Sequence, residues 1–175
     1  MYKVIESCDD FPREISQKLA VTLGEPLCSS LLVSVNWVQD LLSILVHTKQ
    51  HVAFCVLRTL IGGWTTSYRM HEPCKLPCIF GCTGEKDQLT HYLFCFSLWH
   101  ICSSVLGIEA PWDITMRLGI SSPTPERAKL LALAFMVYHN SKTRAKELGG
   151  TLLIGSNHVQ RIASESALSF VRHLV

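Results

Sequence analysis

The sequence predicts a mainly α-helical domain with a small CCHC knuckle, three cysteines and a histidine, set into it. Three observations lead there. Apolar residues recur at three- and four-residue steps along most of the chain, the repeat of a helix with one buried face. Glycine pairs and prolines punctuate those stretches where helices would have to stop. The one short segment that reads as a strand, 151–154, has nothing nearby to pair with. The chain has 175 residues, 48% of them apolar and 17% charged, enough for one ordinary domain with a real core and unlike a disordered tail.

Taken in order, a short helix is expected from Pro12 to Leu23, closed by Gly24 and Pro26. From Cys28 to Val46 the positions Leu31, Val35, Val38, Leu42 and Leu45 trace an amphipathic face, with Asn36, Gln39, Asp40 and Ser43 largely opposite. Val52 to Ile61 reads as a further helix ending at Gly62-Gly63. Residues 64–77, which hold two prolines, read as a loop, and Thr83 to Asp87 as a polar turn. Gln88 to Leu106 is expected to be one helix carrying His91, Cys95, Trp99 and Cys102. A proline-containing connector, 107–125, leads to the most strongly patterned helix, Glu126 to Leu148. There Leu131, Phe135 and Tyr138 form one stripe and Leu130, Ala134 and Val137 the next, so burial on more than one side is expected. A last helix runs from Asn157 to Leu174. Three segments follow from this reading: an N-terminal helical part (1–62), the knuckle with its helix (63–106) and a C-terminal helical part (107–175). They are expected to make one compact domain.

The eight cysteines are unevenly placed. The N-terminus has no apolar signal region, so a reducing intracellular compartment, cytoplasm or nucleus, is expected, where clustered thiols mean metal or chemistry rather than disulfides. Cys78, Cys82, His91 and Cys95 form a C-x3-C-x8-H-x3-C pattern. Two close pairs separated by a polar turn are what a tetrahedral structural metal site needs, and thiolates plus imidazole with no open position suit zinc. These four are the candidate Zn2+ ligands; His71, Cys74, His100 and Cys102 lie close enough in sequence to compete. The alternative is packing, since a free cysteine behaves as a small hydrophobe.

Other chemistry finds little support. His47 and His51 are four apart, but the text H-T-K-Q-H lacks the glutamate of a zinc protease. Pro77-Cys78 echoes only half of a deaminase signature. Asp9-Asp10 has no upstream strand to supply a third carboxylate for a two-metal site. No phosphate-binding loop or nucleophile elbow occurs, and no catalytic residue is proposed. Sixteen Lys+Arg against fourteen Asp+Glu give a net charge of only +2, so any nucleic-acid role must rest on a local patch. Neither of the most apolar stretches, 27–46 and 130–138, suits a membrane span: polar residues interrupt the first and the second is short.

Residues 57–99 carry a specific likeness. Leu57-Arg58, Gly63-Trp64, Thr66-Ser67-Tyr68-Arg69, the Cys78/Cys82 pair and Leu89-Thr90-His91-Tyr92-Leu93-Phe94-Cys95 follow one another in the order found in the zinc-binding segment behind the polymerase core of non-LTR retrotransposon reverse transcriptases, which this stretch resembles. The resemblance implies a position beside RNA or DNA and next to a reverse transcriptase core, with Arg58, Arg69, Lys75 and Lys86 around the knuckle and Trp64 and Tyr68 available to stack on unpaired bases. The polymerase core and the associated endonuclease pattern are not in this sequence, so a C-terminal remnant, a fragment or a reused domain is expected, not an enzyme. The competing expectation is a zinc-stabilised helical domain that binds another protein, or the product of a decayed element with no role.

Overall fold

The computed structural model describes residues 10–23, 36–149 and 156–174 of the chain. Its elements there are helices: α1 (Asp10–Leu23), α2 (Asn36–Val46), α3 (Gln50–Leu60), α4 (Leu89–Tyr92), α5 (Phe96–Leu106), α6 (Ile114–Arg117), α7 (Pro125–Glu147) and α8 (Ser156–Leu174). Among the described residues the sole β feature is an isolated bridge between Pro77 and Lys86. No helix among them is long and apolar enough to cross a membrane.

Each helix buries the face its spacing dictates. In α1, Ile15, Leu19 and Ala20 turn inward while Val21 is exposed. In α2 the buried set is Trp37, Val38, Leu41 and Leu45, and in α3 it is Val52, Cys55, Val56, Thr59 and Leu60. Helix α7 is the axis of the molecule. Thr124 caps it, accepting a hydrogen bond from the Arg127 N–H, and Pro125 occupies the first turn, where its missing N–H costs nothing. Its buried residues run around most of its circumference, Leu130, Leu131, Ala132, Leu133 and Ala134 among them, because α3, α5 and α8 all pack against it. Helix α8 covers α7 and α5 with Val159, Ile162, Ala163 and Ala167. One hydrophobic core takes residues from α1 through α8, so the three segments of the sequence share it.

Two expectations change, and the four-residue spacing of His47 and His51 does not lie on one helix. The connector 107–125 contains a helical turn, α6, capped by Asp113, whose side chain accepts from the Met116 N–H. His47 and His51 fall on either side of a helix break, α2 ending at Val46 and α3 beginning at Gln50. The expected single helix from Gln88 to Leu106 is broken into α4 and α5 at residues 93–95. There the carbonyls that a continuous helix would have used are taken by side chains. The Trp99 indole N–H donates to the Tyr92 carbonyl at 2.9 Å, and Arg117 Nη1 donates to the Leu93 carbonyl at 2.5 Å. Cys95 accordingly has extended backbone angles (φ −61°, ψ 104°) and caps the start of α5. The expected helix start at Cys28 and the strand 151–154 lie outside the described residues.

Trp64 is the largest of the fully buried side chains. Its ring lies 4.8 Å from that of Tyr138, with Tyr92 at 5.8 Å and Phe135 edge-on at 5.9 Å, and its N–H donates to Thr59 Oγ1 at 3.0 Å. Gly63 precedes it by necessity: a Cβ there would stand 2.7 Å from the Arg58 carbonyl oxygen, which accepts the Gly63 N–H at 2.6 Å.

Candidate metal centre

Residues 76–87 double back as a tight loop. The Cys78 N–H donates to the Glu85 carbonyl at 2.8 Å, and the Asp87 N–H to the Leu76 carbonyl at 2.9 Å. Within the loop, Gly81 takes φ +84°, a left-handed conformation that L side chains resist, and its N–H closes a turn onto the Cys78 carbonyl. This turn brings Cys78 and Cys82 to the same side. The break between α4 and α5 brings His91 and Cys95 to face them.

The four ligand atoms of Cys78, Cys82, His91 and Cys95 all lie within 4.8 Å of one another, a set that can hold a metal ion. Cys78 Sγ is 3.9 Å and Cys82 Sγ 3.6 Å from Cys95 Sγ. His91 Nδ1 is 3.1 Å from the Glu85 carboxylate, which orients the ring, while Nε2 is buried without a hydrogen-bond partner. A buried ring nitrogen with no partner is costly to leave so, and it is the atom a histidine offers to a metal when a carboxylate holds the other nitrogen.

The electrostatics agree with a cationic occupant. The bond from Cys95 pulls the Cys78 thiol down to about 4 in spite of burial, helped by His91 and by the backbone N–H groups of Cys82 and Phe80. Cys95 is pushed up, first by its bond to Cys78 and then by burial, and Cys82 is raised by burial and by the charge on Cys78. Burial and the neighbouring charge on Cys78 thus hold Cys82 and Cys95 toward the neutral thiol. A divalent cation is what would let these two ionise. His91 is desolvated, which lowers its pKa, but the Cys78 and Glu85 interactions outweigh this and raise it.

Of the competing residues, Cys74 is exposed and Cys102 fully buried, and neither they nor His71 and His100 belong to the cluster. The single helix expected over 88–106 is not what joins His91 to Cys95; the break is.

Two groups that the sequence reading passed over hold the site together. One is Glu85. The other is Asp87, completely buried, which accepts from the Ser67 N–H at 2.6 Å, from the hydroxyls of Tyr92 and Tyr138 at 2.8 Å each, and from Lys142 Nζ at 2.8 Å. The Tyr92 hydroxyl in turn accepts the Ile79 N–H, inside the Cys78–Cys82 loop, at 3.2 Å. The 76–87 loop is thereby wired to α7. An acid at the end of a polar turn gave no hint of this, because its partner Lys142 lies 55 residues away.

The residues put forward for nucleic acid fall into different settings. Trp64 offers no face to a base, because core rings enclose it; that part of the expectation is corrected. Lys75 and Lys86 converge, their ammonium groups 5.4 and 5.5 Å from the centre of the Tyr68 ring. Arg69 is next in sequence, reaching the Trp64 carbonyl at 3.5 Å, and Tyr68 and Arg69 line a groove of about 770 Å³ that α1 also borders with Lys18 and Glu14. Arg58 lies apart, over the Phe54 ring at 5.0 Å.

Compared with known protein families, with curated proteins and with solved structures, the chain matches none.

Proposed function

We propose that Cys78, Cys82, His91 and Cys95 bind one zinc ion as a structural centre of a CCHC knuckle, and that the basic loop beside it binds single-stranded nucleic acid, as an appendage to a reverse transcriptase of the kind residues 57–99 resemble. The observation that carries the metal reading is the His91 ring: one nitrogen held by Glu85, the other buried and unbonded among three sulfurs. When bound, zinc supplies a charge that ties the 76–87 loop to the start of α5. Zinc is preferred over other ions because its sites are closed by thiolate and imidazole. Metal analysis tests this. About one equivalent of zinc is expected in the wild type and much less in Cys78→Ser; absence of bound metal in the native protein would refute it.

Support for the nucleic-acid reading is the convergence of Lys75 and Lys86 on Tyr68, with Arg69 adjacent and a groove alongside. Two ammonium groups share one ring, so Tyr68 holds the lysines for phosphate contact more readily than it offers itself for stacking. Neutralising about three phosphates of a single strand predicts a slope near −2 in log K against log salt. Fluorescence anisotropy with a labelled RNA should show this slope, flattened in the Lys75→Glu/Lys86→Glu double variant. No binding at low salt would leave the protein-interaction reading, which the exposed Phe94, Phe96 and Trp112 favour.

A further inference from the structure

Beside the knuckle, the turn that carries Cys95 also displays Phe94 and Phe96, and across a pocket of about 240 Å³ they face the 107–117 connector. Phe94, Phe96 and Trp112 are 55%, 68% and 82% exposed, while Trp99 forms a buried wall. The floor is unusual. Arg117, only 7% exposed, lies with its guanidinium 4.8 Å over the Trp99 ring. It donates through Nε to the Pro111 carbonyl at 2.8 Å and through Nη1 to the Leu93 carbonyl. Those partners are neutral, and among the described residues no carboxylate pairs with it. A buried guanidinium is ordinarily paired with a carboxylate or phosphate, because carbonyl dipoles alone leave its charge uncompensated. Ser103 lines the same pocket, and its hydroxyl is buried with no hydrogen-bond partner. Glu109 stands at the rim, exposed and without an ion pair to Arg117.

We propose that this pocket binds a small anionic group carried on an aromatic or apolar body, with Arg117 and Ser103 receiving the carboxylate or phosphate and Phe94, Phe96 and Trp112 enclosing the body. The size supports one ring or one anchoring side chain, since pockets for larger molecules begin at about 300 Å³. The charge argument favours an anion over a cation: the Trp99 face that would attract a cation is already occupied by Arg117. Burial lowers the Arg117 pKa, the direction expected of a cation lacking its counter-ion. This reading is independent of the metal and nucleic-acid proposals, although the pocket shares the Cys95 turn with the metal site.

The test is a titration of the 175-residue protein as purified with phenylacetate, phenyl phosphate, phenylacetamide and phenethylamine, followed by the NMR signals of the Trp99 and Trp112 indole N–H groups. Saturable shifts are expected with one or both anions, the better of the two identifying the head group, and binding at least about tenfold weaker with the amide and the amine, the loss that accompanies a charge-assisted hydrogen bond. Arg117→Gln should weaken the anion by at least about tenfold. Because Arg117 also braces the backbone, Trp112→Ala serves as the second variant: its side chain is largely in solvent, the fold should survive, and affinity should still fall. Equal binding of amide and anion, no saturable shift with either anion, or an unchanged affinity in Trp112→Ala would overturn the proposal.

Discussion

Asp87 places a carboxylate where water does not reach, and its four donors decide its charge. Burial alone would raise its pKa; the hydrogen bond and charge of Lys142, with the Ser67 N–H and the Tyr138 hydroxyl, outweigh burial and hold it below the ordinary 3.8. A carboxylate lowered in the folded state contributes stability that is complete above its unfolded pKa and disappears as pH falls through the folded one. Urea midpoints should therefore be insensitive to this group near neutrality and drop below about pH 4, and Asp87→Asn should remove most of its share of that acid dependence. The same variant leaves Lys142 without its closest counter-charge in the core, so a loss of about 3–5 kcal/mol is expected by urea denaturation at neutral pH. A loss below about 1 kcal/mol would mean that Glu72, 3.5 Å from Lys142, suffices as its partner. At the metal site, His91→Ala should lower zinc affinity while Glu85→Gln lowers it less, by about 10–100-fold, because Glu85 only orients the ring. Competition with a colorimetric chelator measures both.

At the scale of elements, two features make distinct predictions. Helix α7 begins at a Thr124 cap, and Thr124→Ala should cost about 1 kcal/mol, read as a shift in thermal midpoint without loss of metal. The break between α4 and α5 depends on side chains that occupy the carbonyls of residues 92 and 93. Trp99→Phe keeps an aromatic side chain, though a smaller one, and removes the bond to the Tyr92 carbonyl, so it should cost about 1–3 kcal/mol and weaken metal binding together with stability. The helices themselves were legible wherever one apolar stripe faces one core, as in α3 and α8. The break was not, because 88–106 has unbroken helical patterning and no proline or glycine to stop it; the carbonyls at the interruption are taken by Trp99 and by Arg117, the latter far along the chain. The cysteine and histidine positions were legible from spacing, though the continuous helix expected to carry His91 and Cys95 is not how the structure joins them.

For the molecule as a whole, the Cys/His cluster is not an appendage hung from a helical body. Cys78 and Cys95 belong to the same core as α3, α5, α7 and α8, and the Asp87 network fastens the loop to α7. Metal and fold should be coupled. Chelation is expected to lower the thermal midpoint and to blur the near-ultraviolet signals of Trp64 and Tyr92, which pack on each other and on Tyr138. Recovery of both on adding zinc back completes the prediction. A midpoint unchanged by chelation would show that the core stands without the ion.

Helical class, most helix ends and the membership of the sulfur and nitrogen cluster follow from the order of residues, because local periodicity, glycine and proline act over a few positions along the chain. What surrounds those ligands was settled only in three dimensions. Glu85 at the imidazole, Lys142 at Asp87, Arg117 beneath the aromatic pocket and the enclosure of Trp64 all depend on packing between distant elements. A charge or a ring acquires its role from neighbours that folding brings to it, and sequence spacing does not carry that information.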